Sequence, residues 1–250
     1  MDKQEAKKRI VELSEVLKEN SRRYYVLNAP TMSDFDFDVL MRELEDLEAQ
    51  WPQFKTPDSP TQSVGSDLKT GFVQRPHRYP MLSLSNTYSI AEVEEFSTRA
   101  KKTLDSGFSY CCELKFDGTA ISLNYHNGIL YQALTRGDGI KGDDITENAK
   151  SISNIPIKLH GDFPEDLEIR GEVLMPYNAF DSLNAEREAN EEAPFANPRN
   201  AASGSLKLLN PKEVARRGLS CTLYHIPAQS GLDFASHDQA MRAAASWGLP

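Results

Sequence analysis

The spacing of apolar residues changes near Tyr110, and this change constrains the fold more than any other feature of the sequence. Before it the spacing is that of amphipathic helices, whereas after it apolar residues recur at every second position. The dipeptide Asn127-Gly128 joins two such runs, Thr119–His126 and Ile129–Thr135, and is the strongest short signal for a β-hairpin. We therefore expect an antiparallel sheet after a helical beginning.

The other segments supply separate helices and further strands. Helices are predicted at residues 3–19, from Ser33 to Trp51, from Ser89 to Leu104, near residues 177–191 and 200–209, and from Ser236 to Trp247. Ser33 and Ser236 are predicted to cap the helices that they begin. Strands are predicted at Leu167–Met175 and Leu219–Ile226. Because the strands arrive as hairpins between helices, this order favours an α+β fold over a βαβ series. In the helix after Ser89 we expect four side chains to face inward: Val93, Phe96, Ala100 and Leu104.

A proline-rich connector, Thr56–Ser63, divides the chain into two parts. We place the domain boundary near residue 68, between a small all-helical subdomain (residues 1–68) and a mainly antiparallel domain (residues 69–250). The sequence stops on Gly248-Leu249-Pro250, which ends a helix and leads onward. We therefore expect the second domain to be incomplete.

Composition limits the possible functions. The 250 residues carry a formal net charge of −9, which argues against a strong nonspecific nucleic-acid binder. The most basic segment, residues 199–217, is either a phosphate-binding face or a solvated helix face. No apolar run is long enough for a membrane helix, and the N-terminus lacks the apolar region of a signal peptide. Three cysteines form neither a disulfide framework nor a zinc site, so we expect reduced core residues and a cytoplasmic protein.

The segment Gly137–Gly142 matches the dinucleotide pattern G-x-G-x-x-G, but its context differs from that of a dinucleotide site. The pattern needs a parallel βαβ unit in which the glycines open a long helix. Here the glycines follow the second strand of a hairpin, and only a short helical turn fits before Pro156. We therefore expect a turn that presents Arg136 to an anion.

The segment Cys111–Gly118 ends an apolar run with a lysine and a turn dipeptide. We expect its apolar side chains to be buried, namely Cys111, Leu114 and Phe116. Lys115 would then lie at the mouth of a buried strand, where a lysine needs a partner or a task. Its amine is a nucleophile only after it loses a proton. The plain alternative is a strand whose last lysine extends into solvent.

Two polar clusters have both a functional and a structural interpretation. The first is Tyr24, Tyr25, Asp34 and Asp38. Its rings and carboxylates suit a flat cationic ring, or they form a solvated acidic face. The second is Glu168, Arg170 and Glu172, which share one face of a predicted strand, where alternating charge is also ordinary. Tyr224, in an apolar strand, is either a core residue or a ring that stacks on a base.

Taken together and in order, these motifs resemble the NAD-dependent DNA ligases of bacteria over essentially the whole chain. The matching motifs are Tyr24-Tyr25 with Asn28-Ala29-Pro30, Asp34 and Asp38, then Thr56–Thr61, Cys112–Gly118, Thr135–Gly139, Arg170–Val173 and Phe195–Ala202. The resemblance implies a helical subdomain that binds nicotinamide mononucleotide (NMN), followed by a nucleotidyltransferase domain of the DNA ligase and mRNA capping enzyme type. It also implies NAD as the consumed AMP donor and Mg2+ as a cofactor.

The same resemblance assigns roles to individual residues. Lys115 would attack the α-phosphorus of NAD, release NMN and carry AMP to the 5′-phosphate of a DNA nick, with Asp117 and Glu172 as catalytic partners that hold magnesium-bound water. AMP contacts are assigned to Leu82, Ser83, Glu113, Lys115, Arg136, Glu172, Arg199 and Tyr224. NMN contacts are assigned to Tyr24, Tyr25, Asp34, Phe37 and Asp38. Contacts to nicked duplex DNA are assigned to Arg199 and Lys207.

The sequence departs from the family pattern at two positions near the NMN residues. Phe37 stands where the family usually has tyrosine, and Asn28 stands where aspartate is common. Phe37 keeps the ring but lacks the hydroxyl. We expect weakened NMN contact, since one hydrogen bond is worth ~1 kcal/mol.

The family continues into two further lysine-bearing motifs, an oligonucleotide-binding barrel, a zinc finger, helix-hairpin-helix repeats and a BRCT domain. Zinc is expected only in that part, and none of these modules is found in this sequence. We therefore expect the 250-residue chain to be a monomer that adenylates itself poorly or not at all and does not seal nicks.

Two alternatives differ from this interpretation. ATP-dependent ligases and RNA capping enzymes share the Lys-x-Asp-Gly motif, but they lack the helical block of residues 1–68. A nucleotide- or nick-binding module without catalysis would not need Lys115, Asp117 and Glu172 together.

Overall fold

The N-terminal part is a helical hairpin with its own small core. The computed structural model describes residues 2–27, 30–62, 71–83, 86–104 and 107–250. Helix α1 spans Lys3–Arg22 and α2 spans Asp34–Gln50, with a π-helical turn at Arg23–Leu27. Ser33 caps α2 as predicted, by accepting the amide hydrogen of Asp36. The buried residues of this core are Ile10, Leu13, Leu17, Leu44 and Leu47.

The connector and the proposed boundary are only partly described. Short 3-10 turns occupy Pro52–Phe54 and Pro60–Gln62, and Ser59 and Thr61 bind the buried carboxylate of Glu48. The predicted boundary near residue 68 lies outside the described residues, as does Asn28. No described helix is both long and apolar enough to cross a membrane.

The remaining helices lie in the second part of the chain. They are α3 (Ile90–Thr103), α4 (Thr146–Lys150), α5 (Tyr177–Ala189), α6 (Pro198–Leu206), α7 (Pro211–Arg216) and α8 (His237–Ser246). The helix predicted near residues 200–209 is therefore α6, and α7 was not predicted. The prediction that α3 faces inward is wrong, because Val93, Phe96 and Leu104 are 53%, 51% and 48% exposed. An apolar stripe marks a helix face but does not specify what covers it.

The strands form a four-stranded antiparallel sheet and a separate two-stranded ribbon. They are β1 (Gln74–Pro76), β2 (Thr119–His126), β3 (Ile129–Thr135), β4 (Lys141–Asp143), β5 (Asp166–Leu174) and β6 (Ser220–His225). The sheet order is β3-β2-β5-β6, and β1 pairs with β4. The hairpin at Asn127-Gly128 is confirmed: both residues have positive φ, at 48° and 74°, as a tight turn of this type requires. The α+β fold is confirmed.

The two faces of the sheet differ in chemistry. One face is apolar and packs on the helices, and its buried residues include Ile121, Leu123, Tyr125, Leu167, Ile169 and Val173. The other face is polar and carries Ser122 and Asn124 on β2 and Glu168, Arg170 and Glu172 on β5. Since side chains alternate along a strand, these polar residues share one side of the sheet. This side bears the candidate site.

The segment before β2 differs from its prediction. Residues 109–117 have no regular secondary structure, and Cys111, Cys112 and Leu114 are exposed, with Leu114 at 77% and Phe116 at 37%. The predicted buried strand is therefore wrong, and of the three cysteines only Cys221 is a core residue. Both edges of β2 are already occupied by β3 and β5, and β2 begins only at Thr119. A short apolar run does not by itself distinguish a buried strand from a loop.

Candidate functional site

The site is built around the point where the loop that carries Lys115 meets β5. Gly118 lies against this strand so closely that a Cβ atom there would be 2.2 Å from the carbonyl oxygen of Val173 and 3.0 Å from Cγ of Glu172. The backbone amide of Gly118 favours the ionised form of the Glu172 side chain and so acts to lower its pKa. Only glycine permits this approach. The loop therefore passes beside Glu172 at Gly118, directly after Asp117, and the charge of Lys115 acts on Glu172.

Glu172 is the buried acidic group of the site. Burial raises its pKa above the ordinary value. Four neighbours act in the opposite direction and favour the carboxylate: the charge of Arg199, the hydroxyl of Tyr224, the Gly118 amide and the charge of Lys115. The Tyr224 hydroxyl donates to Oε2 of Glu172 at 3.3 Å. Hydrogen-bond donors and cations thus surround this buried acidic group and partly offset the effect of its burial.

Arg199 connects three elements of the site. It is the second residue of α6, whose cap Asn197 accepts the amide hydrogen of Asn200. Its Nη1 donates to Oδ1 of Asp117 at 2.8 Å, and its guanidinium carbon lies 4.6 Å from the centre of the Tyr24 ring. A planar cation can form both contacts at once, since it pairs with a carboxylate at its edge and stacks on a ring with its face. The N-terminal helical part therefore contributes directly to the site.

The second end of the site lies at β6 and the start of α8. Nε2 of His237, the first residue of α8, lies 2.9 Å from Oε1 of Glu113. Burial, followed by the charges of Arg170 and His237, lowers the pKa of the nearby His225. Sequence reasoning missed His237, because 124 positions separate it from Glu113. The only local signal was the cap at Ser236, which indicated a helix start but not what that start faces.

Arg136 and Tyr224 face the same region. Nη1 of Arg136 donates to Oγ of Ser83 at 3.2 Å, and the charge of Arg136 acts on the hydroxyl of Tyr224. Burial raises the pKa of Tyr224, so its hydroxyl stays protonated and donates to Glu172. The glycine-rich turn predicted to present Arg136 joins β3 to β4, with positive φ at Gly137 and Gly139. The rejection of a βαβ dinucleotide site is confirmed by this antiparallel context.

The aromatic and acidic cluster of the N-terminal part is brought together only in part. The Tyr24 hydroxyl lies 3.5 Å from Oδ2 of Asp34, at the limit of a hydrogen bond. Asp38 accepts from Nδ2 of Asn86 at 2.7 Å and from the hydroxyl of Tyr88. Phe37 packs against the small helical core. The side chain of Tyr25 lies outside the described residues.

Three residues assigned to ligand contacts lie in contrasting environments. Leu82 is 76% exposed beside Ser83, so both are accessible to a ligand. Lys207 is only 4% exposed, and its Nζ lies 3.7 Å from Oδ2 of the buried Asp143. A phosphate could contact Lys207 only if it reached this buried ammonium. Its DNA contact stays a prediction.

The donors around the loop suit a magnesium ion held mainly by water and phosphate. Among the described residues no group of three or more His, Cys, Asp or Glu side chains is placed to hold a metal by itself. Mg2+ characteristically binds through one or two carboxylates together with water and substrate phosphates. Asp117, whose side chain is 72% exposed, and Glu172 offer such carboxylates on either side of Gly118. The donor chemistry therefore fits Mg2+ rather than a softer metal.

Comparison with known protein families accounts for nearly the whole chain. Residues 3–65 match the DNA ligase-like, N-terminal NAD+-binding domain, and residues 69–250 match the NAD-dependent DNA ligase adenylation domain. The chain belongs to the NAD-dependent DNA ligase family. Bacterial proteins named DNA ligase are similar to this chain over nearly its whole length. The protein from Bacteroides fragilis is 54% identical over 97% of this chain, and that from Cytophaga hutchinsonii is 46% identical over 100% of it.

The similarity extends over a limited share of these relatives. The chain spans 36% of the length of the Bacteroides fragilis ligase and 37% of that of Cytophaga hutchinsonii. The ligase from Phocaeicola vulgatus is 53% identical over 96% of this chain, which again spans 36% of that protein. Within the NAD-dependent DNA ligase family, this chain thus corresponds to the NAD+-binding and adenylation domains.

Proposed function

We propose that this chain carries out the first chemical step of an NAD-dependent DNA ligase, the transfer of AMP from NAD to Lys115. Nζ of Lys115, after losing a proton, attacks the α-phosphorus of NAD. A phosphorus–nitrogen bond forms, the phosphorus–oxygen bond to NMN breaks, and NMN leaves with that oxygen. The observation that carries the proposal is the close approach of the Lys115–Gly118 loop to Glu172, on which the charge of Lys115 acts.

The surrounding residues supply positioning and charge, which dominate phosphoryl transfer. Arg199 and Arg136 are cations on two sides of the polar face and are suited to the phosphates of NAD. Tyr224 offers a ring for the adenine while its hydroxyl holds Glu172. Glu113 lies at the far end, held by His237, where it is suited to the nucleoside. Bound Mg2+, held through water on Asp117 and Glu172, would neutralise phosphate charge.

The N-terminal helices are proposed to bind the NMN half of NAD. NMN carries a cationic ring, which aromatic faces and carboxylates attract together. Tyr24, Asp34 and Asp38 offer such groups, and the match of residues 3–65 to a NAD+-binding domain supports this assignment. Tyr25 and Phe37 remain predicted members of this site. The NAD-binding match also favours NAD over ATP as the AMP donor.

We propose that adenylation of Lys115 serves the sealing of nicked duplex DNA in replication and repair. AMP would first pass from Lys115 to a 5′-phosphate at the nick. In the second step the 5′-phosphate oxygen displaces Lys115 from AMP, and in the third a 3′-hydroxyl displaces AMP from the activated 5′-phosphate. Arg199 is the described cation best placed to contact such a phosphate. The cytoplasmic location and the monomeric state stay predictions.

The test is the intact mass of the 250-residue chain after incubation with NAD and Mg2+, with ATP as a parallel donor. We expect a gain of one AMP from NAD alone, on a small fraction of the molecules, because the 250-residue chain is expected to adenylate itself poorly. Lys115→Arg keeps the charge but should show no gain, since a guanidinium does not deprotonate in proteins. Lys101→Arg, on the exposed helix α3, is the matched control and should behave as the parent. A gain that survives Lys115→Arg, or that ATP supports equally, would contradict the proposal.

A further inference from the structure

Arg170 is buried on the polar face of the sheet and belongs to no part of the proposed chemistry. It is 8% exposed, and its partner Glu168 is 2% exposed. Nε and Nη2 of Arg170 donate to Oε1 of Glu168 at 2.9 and 2.7 Å. Sequence reasoning allowed these charges to be an ordinary exposed strand face. Their burial needs another explanation, because a buried ion pair does little for stability by comparison with apolar residues of the same size.

The remaining donors of Arg170 reach a segment about ninety positions earlier in the chain. Nη2 donates to the carbonyl oxygen of Tyr79 at 2.7 Å, and Nη1 donates to that of Pro80 at 2.9 Å. The guanidinium therefore binds a carboxylate on its own strand and two consecutive backbone carbonyls across the face. Only a planar group with several fixed donors can satisfy such a set, and lysine cannot replace it.

The segment that Arg170 binds, residues 77–83, is called the strap here. Its other contacts are with the turn between β3 and β4. The amides of His77 and Met81 donate to the carbonyls of Ile140 and Gly139, each at 2.8 Å, and the Met81 side chain is buried. The strap thus crosses the polar face with one anchor on β5 and the other on the turn that carries Arg136.

The last two residues of the strap, Leu82 and Ser83, lie at the proposed nucleotide site. Ser83 accepts from Arg136, and Leu82 is exposed directly after the buried Met81. Arg170 is also two residues from Glu172 on the same face of β5. Strand β5 therefore positions the carboxylate of Glu172 and, through Arg170, also sets the distance between the strap and the sheet.

We infer that Arg170 is a positioning residue for the AMP half of the substrate. It binds the carbonyls of Tyr79 and Pro80 and so fixes the distance between the strap and the sheet. Leu82 and Ser83 are thereby held at the distance from the sheet that an adenosine group needs. Arg170 itself does not touch the nucleotide. This inference rests on the proposed function, because it assumes that the strap borders an adenosine site.

The test compares Arg170→Lys with the parent 250-residue chain in three measurements. These are the affinity for AMP by calorimetry, the NAD concentration for half-maximal adenylation together with the maximal rate, and hydrogen exchange in residues 77–83. We expect AMP affinity to fall about tenfold, since two charge-assisted hydrogen bonds are lost and partly replaced. The half-saturating NAD concentration should rise by a similar factor while the maximal rate changes less than about twofold. Exchange at the Met81 amide should be faster.

Two further variants separate positioning from general damage. Tyr125→Phe removes a buried hydrogen bond of 2.9 Å to the carbonyl of Pro156 on the opposite face, and it should leave AMP affinity unchanged. Met81→Ala loosens the strap from its other side without unpairing a buried charge, and it should weaken AMP binding as Arg170→Lys does. If Arg170→Lys does not fold, Met81→Ala shows whether the position of the strap controls AMP binding.

The outcomes distinguish this inference from the proposed function. If faster exchange in residues 77–83 leaves AMP affinity and half-saturation as in the parent, the inference is overturned while the proposed function stands. An equal loss of AMP affinity in Tyr125→Phe would also overturn it, because the effect would then be one of stability. If the parent neither binds AMP nor is adenylated by NAD, the proposed function and the inference fail together.

Discussion

Nη1 of Arg199 lies 2.8 Å from Oδ1 of Asp117, so the loop that carries Lys115 is tied to the first turn of α6. The same guanidinium faces the ring of Tyr24 at 4.6 Å. A single cation thus connects the NAD+-binding part, the loop and the adenylation part. Because the Asp117 side chain is 72% exposed, this pair adds little to stability, about 0–1 kcal/mol. Under the proposed function, the role of this pair is to place positive charge where the phosphates of NAD bind.

Arg199→Lys tests that role. Lysine keeps the charge but cannot pair with Asp117 and face Tyr24 at once, so we expect the rate of Lys115 adenylation to fall about tenfold. The free energy of unfolding, measured in denaturant, should change by less than ~1 kcal/mol. Arg216→Lys is the control, since Arg216 forms an exposed pair with Glu213 at 3.2 Å away from the site. Equal rates for parent and Arg199→Lys, measured in a single turnover, would disprove the role.

The hydroxyl of Tyr224 should set the acidic limit of adenylation. Burial raises the pKa of Glu172, while the hydrogen bond from Tyr224 favours the carboxylate and so lowers it. Tyr224→Phe keeps the ring and removes this donor, so the pKa of Glu172 rises further. Because the protonated form of Glu172 cannot act as a carboxylate, the acidic limb of the pH–rate profile should move to higher pH.

The pH dependence of stability provides an independent check on the direction of the pKa shift of Glu172. Glu172 has a raised pKa when folded, so the folded state holds its proton more tightly, and stability falls as pH rises from the ordinary value of 4.5 through the raised one. Tyr224→Phe should extend that loss to higher pH, as followed by thermal unfolding at several pH values. Tyr125→Phe should shift neither profile, and an unmoved acidic limb in Tyr224→Phe would show that Glu172 is not the titrating group.

Local turn and cap chemistry was predictable from the sequence, whereas burial across the molecule was not. The hairpin at Asn127-Gly128 and the caps at Ser33 and Ser236 depend on residues next to them, and all three are confirmed. The exposure of Phe96 depends on whether another element covers α3, which no local pattern specifies. A local pattern likewise does not predict which residues far along the chain a side chain will contact.

The candidate site shows the same division. Lys115 and Asp117 stand in a short motif with its own turn chemistry, and sequence reasoning found them. The burial of Arg170 depends on the carbonyls of Tyr79 and Pro80, and the contact of Glu113 depends on His237, so neither has a signal near it in sequence. Each of these contacts joins residues that are about 90 or more positions apart in the chain.

Gly118 should be the least replaceable residue of the loop. A Cβ there would lie 2.2 Å from the Val173 carbonyl oxygen, a backbone atom that cannot move without distorting β5. Gly118→Ala should therefore lower the free energy of unfolding by about 1–3 kcal/mol and abolish adenylation. Gly107→Ala is a matched control, since a Cβ at that position meets no atom within 4 Å. Normal adenylation of Gly118→Ala would show that the loop does not need this close approach to β5.

The hydroxyl of Tyr88 should compete with NMN for Asp38. Asp38 accepts from this hydroxyl and from Nδ2 of Asn86, so a ligand that uses the carboxylate must displace a donor. Tyr88→Phe removes the hydroxyl but keeps the ring, which packs edge-on against Phe35 at 5.6 Å. With one hydrogen bond worth ~1 kcal/mol, NMN measured by calorimetry should bind about fivefold more tightly to this variant. Tyr110→Phe, which loses an exposed hydroxyl contact of 3.0 Å to Ser97 instead, should bind NMN as the parent does. Weaker NMN binding in Tyr88→Phe would mean that the hydroxyl orients Asp38 for the ligand instead of competing with it.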